Sequence, residues 1–122
     1  MDQILICGLR VHTRHGLTAQ EKSIGQELEI DLVLDCELSR PCQSDCPEDA
    51  ISRRDLIALL TACLSEGSCN LMERVAQNAA DAVLEQYPQV ERVEVLLKQE
   101  QAPIYADYDC LAVRIRRGRK EK

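Results

Sequence analysis

The chain has 122 residues, 45% of them hydrophobic, and a net charge of −6. That length is one domain's worth, and the acidic balance argues against nucleic acid as the main partner, because phosphate neutralisation needs a basic surface. Phe and Trp are absent and only three Tyr occur, so aliphatic residues, Ala and Cys must fill the core. Aromatic side chains usually dominate core energetics, and their scarcity hints that burial is completed between subunits.

Residues 3–14 read as a first strand, with Ile4, Ile6, Leu9 and Val11 apolar and Gly8 marking a bulge among them. His15-Gly16 opens a polar segment that runs to Lys22. Gly25-Gln26 precedes a second strand. There Leu28, Ile30, Leu32 and Leu34 alternate with Glu27, Glu29, Asp31 and Asp35, a period of two with one buried and one acidic face. Residues 39–50, with Pro41 and Pro47, read as a loop. Helical spacing follows at Leu56, Leu59, Leu60, Cys63 and Leu64, and Gly67 ends that helix. A second helix spans about 70–87, with Leu71, Val75, Ala79 and Val83 on its apolar face. Pro88 stops it. A third strand covers 90–99, with Val93, Val95 and Leu97 on one face. A fourth covers 109–117, where Leu111, Val113 and Ile115 alternate with Arg114 and Arg116.

The order ββααββ predicts an α+β domain: a four-stranded antiparallel sheet with two helices on one face. The other face is left for solvent or another subunit. The domain is expected over 1–117, with 118–122 as a basic tail. Residues 114–122 hold six Arg or Lys, read as a solvated end rather than an electrostatic docking strip. The start has no positive region and only a short apolar run, which gives the expectation of no secretory signal. No stretch reaches membrane-spanning length, and the expected location is the cytoplasm. Seven Cys, an odd count with no C-x-x-C pair, favour reduced, mostly buried thiols over disulfides. The spacing Cys42-x-x-x-Cys46, with Cys36 upstream, is the nearest approach to a metal pattern and falls short of two close ligand pairs.

Several short motifs stand out in order along the chain. They are Gly8-Leu9-Arg10, His15-Gly16 with Glu21 and Ile24-Gly25-Gln26, and Ser44-Asp45 with Asp49. Asn70-Leu71-Met72-Glu73 with Ala76 follows, then Tyr87-Pro88, Ala102-Pro103-Ile104 and Val113-Arg114-Ile115-Arg116-Arg117. Each is weak alone. In this order and spacing the chain resembles the dihydroneopterin aldolase family of the tunnelling-fold superfamily, nearly end to end. The resemblance implies a ring-shaped homo-oligomer, an octamer of two four-membered rings, with pterin sites between subunits. It implies retro-aldol cleavage of 7,8-dihydroneopterin to glycolaldehyde and 6-hydroxymethyl-7,8-dihydropterin in folate biosynthesis, with C2′ epimerisation in many members. The reduced pterin ring serves as electron sink, so no cofactor, metal or Schiff-base lysine is implied.

The resemblance also assigns roles. Glu73 takes the place of the ring-anchoring glutamate, since a carboxylate pairs with adjacent N–H donors of a pterin through two charge-assisted bonds. Met72 and Leu71 lie beside the ring. Asn70-x-x-Glu73 equally fits a capping box at a helix start. Glu21 matches the acid near the substrate hydroxyls, in one loop with His15 and Leu17; His15 reads as a positioning or packing residue. Two positions depart from the family. Counting back from Ala102-Pro103-Ile104, Gln99 occupies the place of the catalytic lysine, and Gln99 cannot act as a general base. Lys98 is its neighbour, and successive strand residues face opposite ways. A bulge between 98 and 102 would be needed to return Lys98 to the pocket. Arg53 stands where the family has a tyrosine reached across the subunit boundary. It cannot shuttle a proton, but it could grip a phosphorylated neopterin or simply be solvated. These departures leave three readings: an aldolase in which Lys98 or a water handles protons, an epimerase or aldolase on a phosphorylated neopterin, and a pterin- or purine-binding homologue that has lost catalysis.

Overall fold

The computed structural model describes residues 1–100 and 104–119. Ala102 and Pro103 of the motif above, the far end of the 98–102 segment and the last three residues of the basic end lie outside the described residues.

The strands are β1 (Asp2–Thr13), β2 (Gln26–Cys36), β3 (Val90–Gln99) and β4 (Leu111–Gly118). They form one antiparallel sheet in the order β1-β2-β3-β4. The sequence-predicted α+β architecture is therefore the observed one. Alternation in β2 places Leu28, Ile30, Leu32 and Leu34 on the inner face, where all are fully buried. Ile4 and Val11 of β1 and Val93, Val95 and Leu97 of β3 join them. The long helices, α3 (Arg53–Ser65) and α4 (Met72–Gln86), close that face. Leu56, Leu60 and Leu64 of α3 and Val75, Ala76, Ala79, Ala80 and Val83 of α4 are buried there. Small alanines on α4 allow close helix–sheet approach without aromatic side chains.

Two shorter helices were not anticipated. α1 (Ala19–Ile24) lies in the segment read as polar, and α2 (Ser39–Ser44), followed by a 3-10 turn at Pro47–Asp49, lies in the segment read as loop. Pro41 sits in the first turn of α2, where the missing N–H has no helical partner to lose. The basic end also differs from a solvated strip. Arg114 and Arg116 pair with Glu94, and Arg117 bonds Gln77. Strand β4 runs through Gly118, and Arg119 donates to the carbonyls of Leu84 and Tyr87 at the end of α4, where cations favour the helix dipole. The thiols are less buried than expected: only Cys36 is buried, while Cys7, Cys42 and Cys46 are exposed.

The outer face of the sheet carries the charges. Gly8, at φ +71°, lies in the register shift between Ile6 and Leu9. Its N–H donates to Asp31 Oδ1 at 2.6 Å, and Lys98 Nζ lies 3.2 Å from Asp31 and 3.3 Å from Glu29. Burial pushes the Asp31 carboxyl up, but the Gly8 N–H and the Lys98 ammonium outweigh it and hold the group below its ordinary range. Hydrogen bonds to Asp31 and Glu29 raise Lys98. A depressed acid stabilises the fold above its unfolded pKa and loses that contribution as pH falls through the folded value; a raised lysine contributes below its unfolded pKa and loses it above the folded one. Thermal stability is thus expected to hold between these limits and fall on strong acidification. In Lys98→Met the melting temperature at neutral pH should drop, because Asp31 then keeps only the Gly8 N–H and Glu29 only Arg10, and the acid-side decline should become shallower. Parallel pH–melting curves for both proteins would contradict this account.

Candidate active site

The loops between β1 and β2 and between α3 and α4 are tied together by one buried histidine. His15 Nδ1 accepts from the Cys69 N–H at 2.9 Å, so Nε2, 2.7 Å from the Leu64 carbonyl, is the donor. Gly16 N–H adds a bond to the Cys69 carbonyl at 3.0 Å. Lys22 Nζ reaches Ser68 Oγ and Asn70 Oδ1 from α1. Between these tethered loops lies a cavity of about 350 Å³ lined by Gly16, Leu17, Thr18 and Glu21 on one side. Asn70, Leu71, Met72 and Glu73, together with Gln99 and Ile104, form the rest of its lining.

Glu21 is the most heavily bonded group in it. Thr18 and Glu21 form the capping box of α1: Thr18 Oγ1 accepts from the Glu21 N–H at 3.0 Å, and Glu21 Oε1 accepts from the Thr18 N–H at 3.2 Å. Oε1 also takes the Leu17 N–H at 3.1 Å, and Oε2 takes Gln99 Nε2 at 3.2 Å and Gln26 Nε2 at 3.5 Å. Glu73 is the opposite case. It stands exposed in the first turn of α4 and makes no hydrogen bond or ion pair among the described residues. Nor does Asn70 cap that helix: the N-cap is Leu71 with no side-chain bond, and Asn70 Oδ1 accepts from Lys22 Nζ. The capping-box alternative for Asn70 and Glu73 is therefore corrected; the box is at Thr18 and Glu21. Without a side-chain cap, the first N–H groups of α4 remain open beside Met72 and Glu73.

Of the sequence-predicted residues, the fold brings Leu17, Glu21, Leu71, Met72, Glu73 and Gln99 to one cavity. It does not bring Lys98. Strand β3 keeps regular pairing through Lys98 and Gln99, so Lys98 points to the outer face, to Glu29 and Asp31, while Gln99 points in. Arg53 is exposed at the start of α3, donating to the Ile51 carbonyl, and does not line the cavity of its own chain. His15 holds the loops and does not line the cavity either. Thr18 had no place in the sequence reading, although Thr18-x-x-Glu21 is a legible cap signature. Gly16 and Ile104 carried the resemblance but no role, and Asn70 only that of a helix cap. Among the described residues no three His, Cys, Asp or Glu side chains converge as a metal site, and no helix is long and apolar enough to cross a membrane.

A four-stranded antiparallel sheet backed by two helices carries one cavity whose lining includes two carboxylates, Glu21 and Glu73, a site of small-molecule size. The profile of the dihydroneopterin aldolase family matches residues 4–116, and the chain belongs to that family. The dihydroneopterin aldolase of Methylorubrum extorquens is 31% identical over 98% of this chain and 92% of its own length. Dihydroneopterin aldolase 1 of Arabidopsis thaliana is 34% identical over 97% of this chain and 82% of its own. The crystal structure of E. coli dihydroneopterin aldolase in complex with neopterin superposes with a TM-score of 0.88 at 27% identity, covering 97% of this chain and 100% of that one. The chain's function is accordingly that of a dihydroneopterin aldolase, a carbon–carbon lyase of folate biosynthesis.

Proposed function

We propose that the cavity binds 7,8-dihydroneopterin with Glu73 on the pyrimidine edge of the ring and Glu21 at the side-chain hydroxyls. The observation that carries this reading is that one cavity holds two carboxylates in opposite states. Glu21 is held by neutral donors on both oxygens, whereas Glu73 has no partner among the described residues and is exposed. Leu71 and Met72 flank the ring, and the free N–H groups of α4 favour anionic or acceptor atoms there. With Lys98 on the far face and Gln99 untitratable, Glu21 is the cavity's own group for proton transfer. It takes the C2′-hydroxyl proton as the C1′–C2′ bond breaks. The electron pair passes into the ring's imine, glycolaldehyde leaves, and the proton returns to C1′. Reversal after rotation of the bound aldehyde gives C2′ epimerisation.

Leu17, Leu71 and Ile104 at the cavity are 72%, 50% and 56% exposed, more apolar surface than an isolated site would leave open. A neighbouring subunit in a ring-shaped homo-oligomer, an octamer of two rings, would cover it and could bring its own Arg53 to the substrate. The cytoplasm, where folate intermediates are handled, is the expected compartment. The test is incubation of the purified protein with 7,8-dihydroneopterin. Hydroxymethyl-dihydropterin and glycolaldehyde in equal amounts are expected. Turnover only of the mono- or triphosphate, abolished by Arg53→Ala, would move the reading to a phosphorylated substrate. Neopterin binding with no product would leave a binding protein.

A further inference from the structure

Gln26 is the one polar side chain on the inner face of β2, where Leu28, Ile30, Leu32, Leu34 and Cys36 are its companions, and it is only 7% exposed. A buried amide is costly unless its partners are in place. Of the side chain's partners, Glu21 and Gln99 line the cavity, and His15 stands just behind Gly16 of the wall. Nε2 donates to the His15 carbonyl at 2.7 Å and to Glu21 Oε2 at 3.5 Å, and Oε1 accepts from Gln99 Nε2 at 3.0 Å. A carbonyl can only accept, so His15 fixes which end of the Gln26 amide is which. That in turn fixes Gln99. Its two N–H bonds go to Gln26 Oε1 and Glu21 Oε2, and among the described residues its carbonyl oxygen has no partner, which makes it the atom to meet a ligand. Turned over, Gln99 would set oxygen against the Gln26 oxygen and the Glu21 carboxylate.

Resting on the pterin reading above, we propose that Gln26 is a positioning residue that fixes Gln99 carbonyl-outward beside Glu21. The wall thereby offers acceptors and selects a neutral, hydroxyl-bearing substrate side chain over an anionic one. Like charge at Glu21 and Glu73 disfavours a phosphoryl group in the same space. A lysine at position 99 would offer a donor instead and make the opposite demand on the ligand.

The experiment measures Kd for neopterin and neopterin monophosphate, with melting temperatures, for wild type, Gln26→Leu, Gln99→Leu and the double variant. Wild type should prefer neopterin. Loss of the fixed acceptor in Gln26→Leu should weaken neopterin about fivefold to tenfold and narrow the preference. On the Gln99→Leu background Gln26→Leu should add almost nothing, because it acts through Gln99. Additive losses, or a lower melting temperature with both affinities unchanged, would overturn the proposal. So would equal wild-type affinity for the two ligands. If Gln26→Leu does not fold, Gln99→Leu alone decides: an unchanged preference overturns the proposal, a narrowed one supports it. Wild type that binds neither ligand would sink the pterin reading itself, and the proposal with it.

Discussion

Replacing Glu73 by alanine should lower neopterin affinity by roughly two orders of magnitude while leaving the fold nearly untouched. Hydrogen bonds to a charged group are worth about 1.5–3 kcal/mol each, and a carboxylate pairing with two ring N–H donors loses both at once. Even a partial loss of about 3 kcal/mol corresponds to a factor above 100 in Kd. The folded protein, by contrast, asks little of this side chain. It is exposed, it has no partner among the described residues, and it caps nothing, since the N-cap of α4 is Leu71. Its one structural contribution is a negative charge near a helix N-terminus, worth about 0.3–1 kcal/mol. Affinity and stability should therefore separate cleanly, with a large shift in a neopterin titration and a melting curve almost superposable on wild type. Glu73→Gln, which keeps one acceptor, should fall between. Unchanged affinity in a folded Glu73→Ala protein would mean the ring is held elsewhere.

The parts of the molecule that could be read from sequence are those in which a repeating pattern meets a large apolar surface. Strand β2 alternates without a break from Leu28 to Leu34, and α3 and α4 space their apolar residues for one face; each was placed nearly to its ends. Gly8 marked the bulge in β1 because left-handed backbone favours glycine. The short helices α1 and α2 bury no residue, so no apolar period announces them. α1 instead rests on the Thr18–Glu21 box, a pattern that is formed there and not at Asn70–Glu73. At the site, Glu73, Glu21, Leu71, Met72 and Leu17 were legible through the resemblance, and the strand period separated Lys98 from Gln99. What no spacing could show was the amide chain from His15 through Gln26 to Gln99 and Glu21. It joins residues 11 and 73 positions apart and exists only once β1, β2 and β3 lie side by side.

That chain governs the second large effect. Glu21→Gln is expected to cost about 10²–10⁴ in kcat, the usual range for a positioned acid–base group, while neopterin affinity changes far less. The substitution removes the proposed proton carrier and also puts an amide NH₂ where Oε2 now accepts from Gln99 and Gln26, so donors confront donors. The proposed ring anchor, Glu73, is on a different helix and stays in place, which gives this variant the inverse signature of Glu73→Ala: turnover lost with binding kept, against binding lost first. Gly16→Ala approaches the same point without altering any charge. At φ +152° an added Cβ would stand 2.5 Å from the Glu21 Cβ and 2.9 Å from its Oε1, so the carboxylate must swing away from Leu17 and Thr18. A folded Gly16→Ala protein should then lose turnover with Glu73 intact. Should Glu21→Gln turn over dihydroneopterin at the wild-type rate, proton transfer would have to come from a group outside this cavity's own lining, and the neighbouring subunit would be the place to look for it.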